Sequence, residues 1–204
     1  MLSCTNLQLE LQNKQIFNGV SFSLLPGSIY ILKGINGSGK TSLLKIIAGL
    51  MKPSMGEVLW NNQSIDYDQY YQSIIGYLSH ENAIKGELSV IDNLLLWADL
   101  KDTHLLVYPA MAQFKLNDIA DIKCKYLSAG WQKRVALARM VISNSRLWLL
   151  DEPEANLDEQ GRELLLKLLQ VKISSGGMAI IASHNLEYYN KIPVINIDDF
   201  KHEQ

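Results

Sequence analysis

The residues best suited to chemistry are Gly34-Ile35-Asn36-Gly37-Ser38-Gly39-Lys40-Thr41, spaced as the G-x-x-x-x-G-K-[ST] of a phosphate-binding loop. The glycines let the backbone turn tightly and aim successive N–H groups at one anion. Lys40 can reach the β- and γ-phosphates of a bound nucleotide, and Thr41 can offer its hydroxyl to Mg²⁺. Farther on, Asp151-Glu152 ends the apolar run Leu147-Trp148-Leu149-Leu150, and Ser183-His184 ends a second, from Met178 to Ala182. Asp151 at a strand end can share Mg²⁺ with Thr41, and Glu152 can polarise an attacking water. His184 can sense or stabilise the γ-phosphate, and Asp158 of Asn156-Leu157-Asp158 lies one loop beyond. Singly, each has a plainer reading: Asp-Glu-Pro as a helix entry, a histidine as a solvated strand end. Together, in this order, they describe a phosphoryl-transfer site.

Such a site needs strands that end side by side. Ile29-Tyr30-Ile31-Leu32 leads into the loop as a strand, and Ser42 to Leu50 leaves it as a helix buried through Leu43, Leu44, Ile46, Ile47 and Leu50. Upstream, Leu7, Leu9 and Leu11 share one strand face and Val20, Phe22 and Leu24 another, so the chain begins as an antiparallel hairpin turning at Gln12-Asn13-Lys14. Downstream, Gly56 to Trp60 reads as a strand, Asn61 to Ser64 as a turn, and Ile74 to Leu78 as a short strand. Ser89-Val90-Ile91-Asp92 has capping-box spacing and opens a helix to about Leu100. Ser128 caps a helix from about Trp131 to Ile142, Glu159 to Val171 is an amphipathic helix, and Pro193 to Ile197 closes as a strand. Strands alternating with helices around a phosphate loop predict an α/β fold: a P-loop NTPase core with a mostly parallel sheet, an N-terminal antiparallel β segment and an inserted α-helical subdomain. The expected division is residues 1–81 and 144–204 for the core and 82–143 for the insertion, within a single domain over 1–204.

The 204 residues carry a net charge of −2 with scattered lysines and arginines, which gives no electrostatic case for nucleic acid. At 48% hydrophobic residues a sizeable core is expected. Cys4 and Cys124 form no metal or redox motif and read as packing residues of a reducing compartment. The N-terminus has no basic stretch followed by an apolar one, so no secretory signal is expected, and the apolar runs are too short to span a bilayer.

With the Gly34–Thr41 loop, Leu127-Ser128-Ala129-Gly130-Trp131, Leu147–Glu152, Asn156-Leu157-Asp158 and His184 all in order, the chain resembles the ATP-binding cassette ATPases over essentially its whole length. Leu-Ser-Ala-Gly looks like that family's Leu-Ser-Gly-Gly-Gln signature. The resemblance implies ATP hydrolysis with Mg²⁺ and a head-to-tail dimer of two copies. Each ATP would lie between the loop of one copy and Ser128, Ala129 and Gly130 of the other, with Asp158 at the dimer loop. The helix opened by Ser128 would then be an anion site without an anion in its own chain. This sequence departs from the family at three places. Trp131 stands where the signature has glutamine, His80 or Glu81 where a glutamine touches Mg²⁺, and no aromatic residue lies near Leu11 to stack on adenine; Phe17, the nearest ring, reads as core.

Within that family the texture is similar to the ATP-binding subunits of haem exporters in bacterial cytochrome c biogenesis. It is carried by Gly56-Glu57-Val58-Leu59-Trp60, by Leu78-Ser79-His80 followed by Ala83-Ile84-Lys85, and by the signature leading into Arg134-Val135-Ala136-Leu137-Ala138-Arg139. That group implies a peripheral place on the cytoplasmic face of the bacterial inner membrane, with permease partners of the heme exporter B and C type. Trp97, Leu94 and the helical insertion would offer those partners an apolar groove, or else simply pack in the core. The chain has no haem ligand motif of its own, so the cargo is implied by resemblance alone. The alternatives are a cassette ATPase for a lipid or lipoprotein, a soluble one of iron–sulfur assembly, and a nucleotide-dependent binding module without turnover.

Overall fold

The chain opens on two long strands, β1 (Leu2–Leu11) and β2 (Lys14–Leu24), paired antiparallel. Gln12 and Asn13 join them, both left-handed at φ 51° and 62°, as a two-residue turn that matches strand twist requires. Leu7 and Leu9 are buried as expected, but Leu11 is 42% exposed. Register shifts along β1, one of them between Leu9 and Glu10, break the face alternation before the hairpin tip. This computed structural model describes residues 1–66, 68–189 and 192–201. Residues 67, 190–191 and 202–204, which the expected core ranges include, lie outside the described residues.

β4 (Met55–Trp60) adds to β1, and β5 (Gln63–Ser64), expected as turn, adds to β4, giving an antiparallel sheet in the order β2-β1-β4-β5. The second sheet is parallel and holds β3 (Ile29–Lys33), β6 (Ile75–Leu78), β7 (Leu147–Asp151), β8 (Met178–Ala182) and β9 (Val194–Asn196). Its order is β6-β7-β8-β3-β9. Every residue of β7 and β8 is buried, as their unbroken apolar runs dictate for strands covered on both faces.

Helix α1 (Lys40–Ile47) starts before the expected Ser42 and stops short of Leu50, which is exposed. Helix α2 (Gln69–Ile74) was not foreseen: Asp68 caps it through the N–H groups of Tyr70 and Tyr71, but those tyrosines suggest strand. Between β6 and β7 lie α3 (Val90–Lys101), α4 (Val107–Gln113) and α5 (Ala129–Ile142), and α6 (Glu159–Ser174) follows β7. Ser89 does cap α3, accepting from the Asp92 N–H at 3.1 Å; the Asp92 carboxylate accepts from the Ser89 hydroxyl rather than reaching back to the cap N–H. The buried Asn93 amide then fastens the preceding loop through Lys85, Leu88 and Ser89 carbonyls.

The parallel sheet separates two cores. Leu147 and Leu149 face α1 and the antiparallel sheet, while Trp148 and Leu150 face α3 to α6, so alternate residues of one strand serve opposite cores. Cys4 and Cys124 are both buried and free. Leu94 belongs wholly to the helical core, because the face of α3 that it shares with Val90 and Ala98 packs toward α5.

Gly56 sits where the backbone of β1 passes close to β4: at φ +84°, a Cβ there would clash with the carbonyl oxygens of Asn6 and Thr5. Gly56→Ala should therefore cost at least about 2 kcal/mol, read as a lowered urea midpoint at constant slope. An unchanged midpoint would contradict this backbone contact.

Candidate active site

The loop between β3 and α1 is built to leave donors free. Gly39 sits at the start of α1 in the left-handed region (φ 101°) and offers no side-chain cap, whereas α3, α5 and α6 each begin on one, from Ser89, Ser128 and Asp158. The first turn of α1 thus presents uncapped N–H groups and a positive dipole end at the mouth of the loop. A Cβ on Gly39 would meet Ile16 and Phe17 at under 3 Å, so glycine is required by space as well as by conformation. Asn36 to Thr41 line a cleft closed by Leu11, Ile16, Asp151, Glu152 and His184. Gly34 and Ile35 lie behind it, and Ser38 turns its hydroxyl inward, where it is buried without a hydrogen-bond partner among the described residues.

Lys40 is almost fully buried and donates to the carbonyls of Gly34 at 2.8 Å and Ile35 at 3.0 Å. Burial lowers its ammonium below the ordinary lysine value, while the carboxylates of Glu152, Asp198 and Asp151 hold it up. Thr41 Oγ1 donates to Asp151 Oδ2 at 2.8 Å, joining the start of α1 to the end of β7. These two side chains present adjacent oxygen ligands only, which suits a hard cation such as Mg²⁺. No group of three or more His, Cys, Asp and Glu suited to a metal occurs among the described residues.

Glu152 stands next, with its backbone in the left-handed region at φ 48°. This conformation is held by its N–H to the Ala182 carbonyl (2.9 Å), by the Ala155 N–H to its own carbonyl, and by the buried Lys133 ammonium 3.5 Å from the same oxygen. Its carboxylate lies 2.9 Å from His184 Nε2 and 3.8 Å from His80 Nδ1. Of the two candidates for the missing glutamine, His80 therefore meets the acidic side chain, while the Glu81 carbonyl accepts the Ala83 N–H in a backbone turn. Glu154, buried and unremarked in the sequence, accepts from the hydroxyls of Ser183 and Tyr189 and ties the loop after β7 to the end of β8.

Ser128, Ala129 and Gly130 are not in this cleft. Ser128 and Gly130 line a second one with Trp131, Arg134, Asn156 and Asp158. The Ser128 hydroxyl caps α5 through the Trp131 N–H at 3.4 Å. A Cβ on Gly130 would lie 2.8 Å from the Asn156 carbonyl oxygen, so this glycine lets the helix start pack on the loop after β7. Arg134, 6% exposed, donates to both Asp158 oxygens at 2.7 and 3.0 Å and stacks over the Trp131 ring at 4.9 Å. Its guanidinium holds the Asp158 carboxyl below its ordinary value. Phe17 is fully buried, and among the described residues no aromatic ring lines the phosphate-loop cleft. Trp97 stacks on Arg139 at 4.7 Å in a third, mostly apolar cleft that also includes Ile75, Ala83 and Met140.

The sequence of a family described as ABC transporter matches residues 17–155. The chain is 40% identical over 184 residues to the cytochrome c biogenesis ATP-binding export protein CcmA of Rickettsia felis, spanning 90% of this chain and 93% of that protein. It is likewise 40% identical over 205 residues to the protein of that name from Haemophilus ducreyi, spanning 98% and 97%. Among solved structures, a putative ABC transporter ATP-binding protein from Pyrococcus furiosus matches with a TM-score of 0.85 and 26% identity over 98% of this chain and 99% of that one. A dimeric post-hydrolysis ATP-binding cassette bound to ADP and phosphate matches at 0.84 and 24% identity over 100% and 97%, a likeness of fold.

Burial raises the Asp151 carboxyl above its ordinary value, against the lowering effect of the Thr41 hydroxyl. A folded-state pKa above the unfolded one means that ionised Asp151 costs stability at neutral pH, a cost absent below the unfolded pKa. Asp151→Asn keeps an acceptor for Thr41 and removes the charge. It should raise the Tm of the metal-free protein by about 2–4 °C while abolishing Mg²⁺-dependent ATP hydrolysis, measured by melting in a chelator and by phosphate release.

Proposed function

The chain belongs to the ABC transporter family and hydrolyses ATP, and on that premise we propose that it is the ATPase subunit of a membrane transporter handling haem for c-type cytochrome biogenesis. The haem reading is carried by the 40% identity, over 90% or more of this chain, to export proteins named for that process. The catalytic reading is carried by the meeting of Thr41 with Asp151 and of Glu152 with His184 at one cleft.

In this reading the free N–H groups of α1 and the Lys40 ammonium hold the β- and γ-phosphates of ATP. Thr41 and Asp151 would hold Mg²⁺, which supplies positive charge to the phosphate oxygens when bound. Glu152 orients a water and takes its proton as the water oxygen bonds to the γ-phosphorus and the bond to the β–γ bridging oxygen breaks. His184 fixes the Glu152 carboxylate and faces the γ-phosphate; His80 supports the same carboxylate from its other oxygen. Leu11 and Ile16 give the base an aliphatic wall in place of an aromatic one.

The cleft of Ser128 and Gly130 shares no lining residue with the phosphate-loop cleft. This supports a head-to-tail dimer in which the Ser128–Gly130 segment of one copy covers the triphosphate on the other, with Asp158 at the boundary. The apolar cleft at Trp97 suits a short helix of a permease of the heme exporter B or C type. No helix among the described residues is long and apolar enough to cross a membrane, which accords with a peripheral place on the cytoplasmic face of the bacterial inner membrane.

Glu152→Gln should lower the ATPase kcat by about 100-fold or more with nucleotide binding retained. Capture of the tagged chain from solubilised native membranes should bring down the membrane subunits of cytochrome c biogenesis. Recovery of a different permease would overturn the haem cargo, and recovery of soluble partners alone would overturn the transporter.

A further inference from the structure

The short helical turn after β9, residues Ile197–Phe200, runs beneath the phosphate loop. Ile197 anchors it, fully buried in the core that contains Leu32 and α1. From this anchor Asp198 reaches the loop: its Oδ2 accepts the Ile35 N–H at 2.9 Å, across 163 residues of sequence. Its Oδ1 accepts from Lys201 Nζ at 2.6 Å, so the carboxylate is itself held in place. Gly34 and Ile35 are the same two residues whose carbonyls receive Lys40. The Gly34–Ile35 segment is thus gripped from two sides, by a lysine through its carbonyls and by a carboxylate through an N–H. Asp198 also lies close enough to Lys40 to act on its charge.

We propose that Asp198 is a positioning residue for triphosphate binding: by fixing the Ile35 N–H, it sets the seat from which Lys40 meets the phosphates. This rests on the loop's being the ATP site. Asp198 touches neither the phosphate cleft nor Asp151 and Glu152, so its removal should act on affinity and leave the chemical step in place. Without the acceptor, the Gly34–Ile35 peptide can rotate, and part of the ordering of Lys40 must then come from ATP binding.

The test compares Asp198→Ala, Asp198→Asn and Lys40→Ala for MgATP hydrolysis, binding of a non-hydrolysable ATP analogue, and Tm. Asp198→Ala should raise KM and the analogue Kd about tenfold with kcat within about twofold. Asp198→Asn keeps an oxygen for the Ile35 N–H and should recover most of that loss. A KM unchanged in Asp198→Ala, or a loss that tracks Tm and is not recovered by asparagine, would overturn the inference. Should Asp198→Ala not fold, Lys201→Ala frees the carboxylate from its second hold and should raise KM about two- to fivefold; no change there overturns it equally. Lys40→Ala separates the two levels. If it still binds the analogue, the reading of the loop itself fails; if it loses binding while Asp198→Ala does not, only the role of Asp198 fails.

Discussion

Ala182 is paired on one side with Leu32 and on the other with Asp151. Because both pairings are parallel, the strand that enters the phosphate loop and the strand that delivers Asp151-Glu152 end at the same level. The Ala182 carbonyl takes the Glu152 N–H, and the Ser183 N–H donates to Leu32, so the chain fixes both neighbours just where it leaves the sheet. The 2.8 Å contact between Thr41 and Asp151 follows from this registration. A slip of one residue would turn Asp151 toward the opposite core and end the meeting of the two segments. The alternation of Leu147 and Leu149 with Trp148 and Leu150 between two cores resists such a slip, since every apolar side chain would change sides.

The site is assembled against local preferences. Glu152 adopts a backbone conformation that favours glycine, a strain of order 1–3 kcal/mol that only surrounding contacts can hold. Lys133, on the helix that Ser128 opens, places its ammonium inside the protein near the Glu152 carbonyl. Burial lowers its pKa, and Glu154, Asp151 and Glu152 hold it up. This lysine links the signature helix to the backbone of the acidic loop. Gly130 pressed on Asn156 and Arg134 paired with Asp158 make two further links. The phosphate-loop cleft and the cleft at Ser128 and Gly130 therefore meet the same buttressed loop after β7 through packed, charged contacts.

The chemistry was legible in the sequence wherever residue type and spacing are the mechanism. The phosphate loop needs its glycines, lysine and threonine in fixed order; a buried central strand must be an unbroken apolar run. The phosphoryl-transfer site, the α/β fold with its helical insertion, and most strands followed from such rules, while ATP hydrolysis was implied by the resemblance to the ATP-binding cassette ATPases. What escaped depended on distant partners. Nothing around Asp198 signals that its carboxylate meets Ile35, and Glu154 looks like any loop acid until Ser183 and Tyr189 fold over it. Leu94 reads as a groove residue as readily as a core one, and only the packing of α3 decides. Helix α2 had a usable signal in Asp68, whose carboxylate caps it, in a stretch that the reading of the sequence passed over.

In the proposed head-to-tail dimer each of the two clefts is completed by a second copy, and the mass of the protein in solution tests this directly. Glu152→Gln, which should bind ATP without consuming it, can be measured by light scattering with and without MgATP. A species of twice the 23.0 kDa chain mass that appears only with MgATP is the expected result. A protein that stays at the mass of one chain while saturated with MgATP would contradict the paired-site arrangement.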